Sequence, residues 1–209
     1  VCSNAAPAEN RKIGSVGRPY AGMESQVIDE AGYPLPRGQV GELIFRGGNV
    51  MIGYLNRPDE TAKVLKDGWL HSGDLGYFDE DGFCFIVGRK KDLIIKSGYN
   101  SVPLEVEDAV RQAELVRDVS VVGVSDPIRG ERILAAVILK DAGSQDLARE
   151  QINQTIQTLL AKYKHPNEIW FVDQFPLGPS GKILKKQIRE NWLKKATIEK
   201  IKEEVHVDA

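Results

Sequence analysis

The sequence is poor in the residues that build disulfide scaffolds and metal sites. Its 209 residues include only two cysteines, Cys2 and Cys84, in no paired spacing, and three histidines with no neighbour at metal-ligand spacing. These absences argue against a disulfide-stapled fold and a structural zinc site. We expect a protein of a reducing, cytoplasmic compartment with no metal site of its own.

Long apolar runs and a strong net charge are also missing. No stretch approaches the ~20 apolar residues that a bilayer crossing needs, and no signal peptide follows Val1. The formal net charge of −2 gives no bias toward nucleic acid or anionic lipid, so any basic site must be local. The expected location is the cytoplasm, free or peripheral to a membrane. The first residue is not Met, which indicates a fragment of a longer protein.

The first part of the chain has the patterns of a small β-rich unit. Alternation of apolar and polar residues predicts strands at 26–29 and 41–46. A short helix is predicted at 59–65, and the Asp-Gly pair at 81–82 predicts the turn of a hairpin. This pattern ends near Gly88, so we place a β-rich subdomain at residues 1–88.

After Gly88 the sequence alternates between strand and helix patterns. The predicted strands are 93–95, 116–124, 133–139 and 169–172, and the predicted helices are 103–110, 146–160 and 183–192. Residues 196–209 extend the last helix or fray from it. The fold class is therefore α+β: the β-rich subdomain is followed by a compact α+β domain at 89–209 with its helices on one side, and the boundary lies in the charged run at 89–92.

Three segments carry polar groups that could hold a ligand, and the first is residues 69–74, Trp-Leu-His-Ser-Gly-Asp. A carboxylate on a glycine-containing turn, here Asp74, can accept two hydrogen bonds at once, for instance from adjacent ribose hydroxyls. The simpler interpretation is an aspartate that caps its own turn.

The second segment, residues 88–98, is a strand–turn–strand with a dense cluster of cations between glycines. The guanidinium of Arg89 is a fork suited to phosphate or sugar oxygens, and the glycines let a ligand approach the backbone. The simpler interpretation is a solvated run of charge between domains.

The third segment, residues 178–184, presents Lys182 on a loop of Gly, Pro and Ser. A mobile ammonium there could neutralise carboxylate and phosphate oxygens. The loop is not a phosphate-binding P-loop, because Pro176 stands where that motif needs Gly and Ile183 where it needs Ser or Thr.

Taken in order, these segments resemble the signatures of the adenylate-forming superfamily, and within it the fatty and aryl acyl-CoA synthetases. The resemblance covers nearly the whole chain. Supporting similarity lies at residues 14–19 and 53–61, and the four main motifs are His71-Ser-Gly-Asp74, Gly88-Arg-Lys-Lys-Asp92, Lys96-Ser-Gly-Tyr-Asn-Ser-Val-Pro-Leu-Glu-Val-Glu107 and Pro179-Ser-Gly-Lys182.

The resemblance implies both architecture and activity. Residues 1–88 would be the C-terminal β-rich part of the large AMP-binding domain, and residues 89–209 the C-terminal lid. The implied reaction activates a carboxylic acid, expected to be a fatty acid, as acyl-adenylate and transfers it to CoA. ATP, Mg²⁺ and CoA are therefore the expected cofactors, with the Mg²⁺ ligands mainly outside this sequence.

The resemblance also assigns roles to residues. Asp74 would hold the ribose hydroxyls of ATP, and Arg89 would assist at the ribose or phosphate. Lys182 would bridge the substrate carboxylate and the α-phosphate as the catalytic residue. Lys91 would be the hinge of the lid, while Gly98 and Tyr99 would face the pantetheine arm of CoA.

Other parts of the family pattern would lie upstream, in an N-terminal large domain that this sequence does not contain. They include the phosphate loop, the Thr-Glu motif and the acyl pocket, so we expect this piece to be inactive alone. Two alternatives stay open: loading of a phosphopantetheinyl carrier protein, or a non-catalytic lid that binds a partner. A nucleic-acid partner is not expected, because the cations of the last helix are interpreted as a solvated face: Lys185, Lys186, Arg189, Lys194 and Lys195.

Overall fold

The computed structural model describes residues 2–3 and 11–207, and their side chains except those of residue 142 and residues 199–207. The chain divides into two compact units, residues 1–91 and 92–209. The division falls inside the charged run that the sequence marks as a boundary. None of the described helices combines the length and apolarity that a bilayer crossing requires.

The first unit is built on a five-stranded antiparallel sheet. Strand β6 is its centre: it pairs with β4 on one side and with β5 and β7 on the other, while β3 pairs with the far edge of β4. A two-stranded ribbon, β1 with β2, completes the described strands. The elements are β1 Cys2–Ser3, β2 Arg18–Pro19, β3 Glu24–Ile28, β4 Gly41–Arg46, α1 Pro58–Val64, β5 Leu65–Lys66, β6 Trp69–Phe78 and β7 Cys84–Arg89.

The apolar core of this unit lies on one face of the sheet. Leu43 and Phe45, two residues apart on β4, both point into it, together with Val27, Phe78 and Cys84. The strands predicted at 26–29 and 41–46 and the helix at 59–65 are confirmed to within two residues.

The two cysteines, distant in sequence, meet in this unit as free thiols. Cys2 packs against the core that contains the buried Cys84. Their hydrogen bond, followed by burial, raises the pKa of the Cys84 thiol, while the same hydrogen bond lowers the pKa of Cys2. No local pattern in the sequence predicts this contact, since strand pairing brings the two residues together.

The second unit has a five-stranded sheet centred on β11. Strand β11 pairs antiparallel with β10 on one side; on the other it pairs parallel with β12 and, at Gly130, antiparallel with β8. Strand β10 is therefore an edge of the sheet. The elements are β8 Ile94–Lys96, β9 Tyr99–Ser101, α2 Pro103–Arg111, β10 Val116–Asp126, β11 Gly130–Leu139, α3 Gln145–Leu159, β12 Glu168–Phe171 and α4 Lys185–Val207.

Helices cover both faces of this sheet, so the expectation of helices on one side is wrong. One set of alternate β11 residues packs with α2 and α3: Ile133, Ala135 and Val137. The other set packs with Ile188 and Trp192 of α4: Leu134, Ala136 and Ile138. The reason is in the sequence of β11, which is apolar at odd and even positions alike and needs cover on both faces. The α+β class itself is confirmed.

The open edge of β10 is capped by side chains of α2 and α4. The backbone N–H of Val121 donates to Glu107 Oε1 at 2.8 Å, and its carbonyl accepts from Lys185 Nζ at 3.2 Å. Arg189 Nε donates to the carbonyl of Gly123 at 2.6 Å. The interpretation of Lys185 as part of a solvated face is therefore wrong, and Arg189, although exposed, is bound to the strand, because an edge strand offers unpaired carbonyls to nearby cations.

Candidate functional site

Asp74 and Arg89 form a cross-strand pair at the end of the β6–β7 ladder. They stand opposite each other in register, and Arg89 Nε donates to Asp74 Oδ1 at 2.6 Å. The two side chains are 27% and 51% exposed, so both remain accessible from solvent. The structure thus brings together two of the residues that the sequence singled out.

The segment before Asp74 is a bulge in a strand, and the prediction of a turn there is wrong. Opposite β4, Glu42 pairs with Leu75 and Ile44 with His71, so β6 has two extra residues between these pairs. Gly73 adopts φ +69°, and Ser72 Oγ fixes the bulge by donating to the Leu43 carbonyl at 2.6 Å. A bulge re-aims the side chain that follows it, here the carboxylate of Asp74.

A buried carboxylate, Glu42, supports the bulge from β4. Its Oε2 accepts from Lys90 Nζ at 2.9 Å, its Oε1 accepts from the N–H of Gly73 at 3.3 Å, and His71 Nδ1 lies 3.7 Å from Oε1. Burial alone would raise the pKa of Glu42, but Lys90, with help from His71 and Gly73, outweighs it and lowers that pKa. Sequence reasoning missed Glu42, whose only signal is a charged residue beside the apolar run Leu-Ile-Phe.

Lys91 lies in a single 3₁₀ turn, Lys90–Asp92, and its side chain is exposed. The division between the two compact units comes directly after it. A short turn with no buried side chain has little packing to hold it in one conformation.

Gly98 and Tyr99 belong to the tight hairpin that joins β8 to β9. Ser97 and Gly98 have φ values of 52° and 81°, the pattern of a type I′ two-residue turn. A Cβ at position 98 would meet no atom within 4 Å, so in this unit glycine is needed for its backbone conformation. Tyr99 is 59% exposed, and its ring stacks on that of Tyr163 with centroids 4.9 Å apart.

Lys96, at the base of the same hairpin, is partly buried. Its Nζ donates to the carbonyl of His165 at 3.2 Å. Burial, followed by the charge of Arg129, lowers the pKa of Lys96. This lysine thus ties the β8–β9 hairpin to the segment after α3.

Lys182 stands on a closely hydrogen-bonded hairpin between β12 and α4. Leu184 N–H donates to the Pro176 carbonyl and Gly178 N–H to the Lys182 carbonyl, both at 2.8 Å. Gly181, with φ +74°, makes the turn. Within residues 2–3 and 11–198 the side chain of Lys182 has no hydrogen-bond or ion-pair partner, and it is exposed. Hydrogen bonds hold the backbone of the hairpin, and the ammonium is exposed to solvent.

The predicted site residues therefore fall into two groups. Asp74 and Arg89 lie in the first unit, and Gly98, Tyr99 and Lys182 in the second. Among the described residues, no group of three His, Cys, Asp or Glu side chains is placed to hold a metal ion.

Two family profiles match the chain. The profile of the AMP-binding enzyme C-terminal domain matches residues 105–182, and that of the AMP-binding enzyme matches residues 1–55. The first match ends on Lys182.

Curated relatives match along most of the chain. The sulfoacetate–CoA ligase of Cupriavidus necator is 42% identical over 182 residues, 87% of this chain and 35% of that protein. The long-chain-fatty-acid–CoA ligase of Bacillus subtilis is 42% identical over 180 residues, 86% of this chain and 32% of that protein. The chain thus spans about a third of the length of these relatives.

Solved structures agree with the sequence matches. ATP-bound MatB from Rhodopseudomonas palustris superposes with a TM-score of 0.80 at 35% identity, over 88% of this chain and 36% of that one. The o-succinylbenzoate CoA synthetase of Bacillus subtilis, in complex with its acyl-adenylate intermediate, superposes with a TM-score of 0.77 at 32% identity, over 85% of this chain and 36% of that one. With both family profiles in order along it, the chain belongs to the adenylate-forming AMP-binding enzymes.

Proposed function

We propose that the protein containing this chain is an ATP-dependent acid–thiol ligase that makes an acyl-adenylate and then an acyl-CoA. The observation that carries the proposal is the exposed ammonium of Lys182, without a partner among the described side chains, on a hydrogen-bonded hairpin at the end of the C-terminal family match. A cation presented in this way is suited to a ligand that is itself anionic.

In the first half-reaction, an oxygen of the substrate carboxylate attacks the α-phosphorus of ATP, and the bond to the leaving pyrophosphate breaks. Two anions must approach each other, so a positioned ammonium between them offsets their repulsion and holds them in line. Lys182 is our candidate for that group. In the second half-reaction, the thiol sulfur attacks the acyl carbon, loses its proton and releases AMP.

The remaining residues are proposed to bind and to move. The Asp74 carboxylate would accept hydrogen bonds from the ribose hydroxyls, beside the Arg89 guanidinium with which it is already paired. Lys91 would be the hinge between the two half-reactions, and Gly98 and Tyr99 would face the pantetheine arm. The described residues offer no metal cluster, so the Mg²⁺ that such a ligase uses would be bound elsewhere in the protein.

The proposed substrate is a fatty acid and the proposed location is the cytoplasm. The similarity to long-chain-fatty-acid–CoA ligases supports this acyl group. Ligases of sulfoacetate and 2-succinylbenzoate match at comparable identity, so the acyl group has to be found by experiment. The two free thiols are in keeping with a reducing compartment.

The test is product analysis by mass spectrometry of the intact protein with ATP, Mg²⁺, CoA and a panel of carboxylic acids. We expect acyl-CoA, and we expect Lys182→Ala to lower the rate of adenylate formation about 10²–10³-fold, the usual effect of removing one transition-state contact. Lys186→Ala is the matched control, since it removes an ammonium four residues along the chain from a side chain that is 88% exposed. It should leave the rate of adenylate formation unchanged.

Each other outcome has a distinct meaning. Acyl-adenylate without acyl-CoA would make a carrier protein the acceptor. No product with any acid would favour a lid that binds a partner without catalysis. The 209-residue chain alone is expected to form neither product, and ATP-dependent activation by it would show that this piece holds the complete site.

A further inference from the structure

The position of Lys182 depends on how the two ends of its hairpin are held. The N-terminal end follows Phe175, which is buried with Ile188 and Trp192 in the core beneath α4. The C-terminal end continues directly into α4, whose first residue, Lys185, comes three residues after Lys182. The first turn of α4 therefore fixes one side of the hairpin.

That first turn carries the wrong charge for a helix N-terminus. It contains Lys185 and Lys186 and no acidic residue. Cations are unfavourable there because the helix dipole places partial positive charge at the same end. Glu107 of α2 supplies the negative charge from another element: its Oε1 accepts from Lys185 Nζ at 2.7 Å and from the N–H of Val121 at 2.8 Å.

The spacing of two cations on α4 matches the spacing of two carbonyls on β10, which strengthens the attachment of the helix to the strand. Lys185 donates to the carbonyl of Val121 and Arg189 to that of Gly123, so side chains four apart on the helix meet carbonyls two apart on the strand. Four helical residues rise about 6 Å and two strand residues about 6.6 Å, so one turn of α4 matches one repeat of β10. Of the two cations that attach α4 to β10, Glu107 binds Lys185, the one nearer to Lys182 in sequence.

We propose that the Glu107–Lys185 ion pair positions Lys182 for adenylate formation. The proposal rests on the role proposed above for Lys182. Neither member of the pair touches the reacting atoms; together they hold the first turn of α4, and through it the hairpin, in one place. Without the ion pair the ammonium of Lys182 is still present, but it occupies a wider range of positions. Small displacements of a charged group between two reactants lower the rate strongly.

The experiment separates the two half-reactions in the intact protein. Acid-dependent exchange of pyrophosphate into ATP measures adenylation, and transfer to thiol from supplied acyl-adenylate measures the second step. Lys185→Met keeps the alkyl stem and removes the ammonium. We expect it to lower the kcat of adenylation about 10–100-fold, with the KM for the acid changed less than about twofold and thiol transfer unchanged.

Three further variants complete the series. Glu107→Gln is expected to lower the adenylation kcat as Lys185→Met does. Lys185→Arg, which restores the charge, should recover adenylation to within about threefold of the original. Lys186→Met is the matched control: it removes the same group one residue along, where the side chain is 88% exposed, and should leave adenylation unchanged.

Amide hydrogen exchange of the intact protein gives a readout that needs no activity. Lys185→Met and Glu107→Gln should speed exchange at residues 177–188 while leaving β11 protected, and Lys186→Met should do neither. Unchanged exchange at 177–188 would refute the proposal.

The kinetic outcomes distinguish this proposal from the function on which it rests. If Lys182→Ala lowers adenylation about 10²–10³-fold and Lys185→Met leaves it unchanged, the function stands and the positioning role is refuted. If Lys185→Met lowers both half-reactions equally, or exposes β11 as well, the pair is merely structural and the proposal is wrong. If Lys182→Ala adenylates normally, the ligase activity stands, but the proposed role of Lys182 fails and the positioning role fails with it. If the original protein forms no adenylate with any acid, the proposed function itself fails.

Discussion

Replacement of Glu42 by Gln tests whether the bulge beside Asp74 depends on a buried charge. The substitution keeps the size of the side chain and one oxygen for the N–H of Gly73. It removes the charge that Lys90 Nζ contacts at 2.9 Å. We expect the first unit to lose stability around β4 and β6 without any change in the second.

The magnitude follows from the exposure of the two partners. A hydrogen bond to a charged group contributes about 1.5–3 kcal/mol. The carboxylate of Glu42 is 9% exposed but the ammonium of Lys90 is 48% exposed, so solvent screens part of the interaction. We expect a loss of about 1 kcal/mol, and each kcal/mol lowers the unfolding midpoint of a unit this size by about 4–8 °C.

The loss should depend on pH with a definite sign. The pKa of Glu42 in the folded protein lies below the ordinary value of 4.5, so the unfolded chain binds more protons over this range. The contribution of the carboxylate is therefore complete above the ordinary pKa and is lost as pH falls through the folded-state pKa. The difference between Glu42→Gln and the original protein should shrink over the same interval.

Hydrogen exchange isolates the effect to one unit. Amides of Gly41–Arg46 should exchange about five- to tenfold faster in Glu42→Gln at pH 7, and those of β11 at their original rate. Glu24→Gln is the control, because its ion pair with Arg46 is solvent-exposed and should leave the midpoint unchanged. Equal exchange in Glu42→Gln and the original, or a difference that persists in acid, would refute the reasoning.

Two further predictions concern the second unit. Ser120→Ala should raise the free energy of unfolding by about 1 kcal/mol, because the Ser120 hydroxyl is buried and has no hydrogen-bond partner among the described residues. Ser125→Ala, at an exposed position of the same strand, is the control and should change the free energy of urea unfolding little. Destabilisation by Ser120→Ala would contradict the prediction and indicate that the Ser120 hydroxyl has a hydrogen-bond partner. Gly98→Ala should cost about 1 kcal/mol, because alanine at φ +81° is strained although its Cβ has room. Gly48→Ala is its control, because a Cβ at position 48 also has room and Gly48 has no positive φ. Equal losses of unfolding midpoint in the two variants would contradict the explanation by backbone strain at Gly98.

The sequence predicts most of the secondary structure because the deciding signals are local. The alternation in β4 and the proline at the start of α2 each lie within a few residues of the element they specify. The Asp-Gly pair at 81–82 likewise marks its own turn, where Gly82 has φ +81°. Lys182 was found for the same reason, since its loop of Gly, Pro and Ser is contiguous.

What the sequence misses depends on partners far along the chain. The bulge before Asp74 arises from the register of β6 against β4, thirty residues upstream, and Glu42 gains its role only there. Lys185 and Arg189 look like solvated cations on a helix, because the carbonyls that they bind belong to β10, more than sixty residues earlier. The second face of the sheet was missed because a continuous apolar run does not say which helix covers it.

The matched repeat of α4 and β10 limits how this segment can change in length during evolution. One residue inserted between Lys185 and Arg189 would turn the second cation by about 100° around the helix axis, away from the carbonyl of Gly123. One residue inserted between Val121 and Gly123 would turn the carbonyl at the next position into the sheet. We therefore expect the residues between Lys182 and Arg189 to differ among related proteins, while their number stays the same.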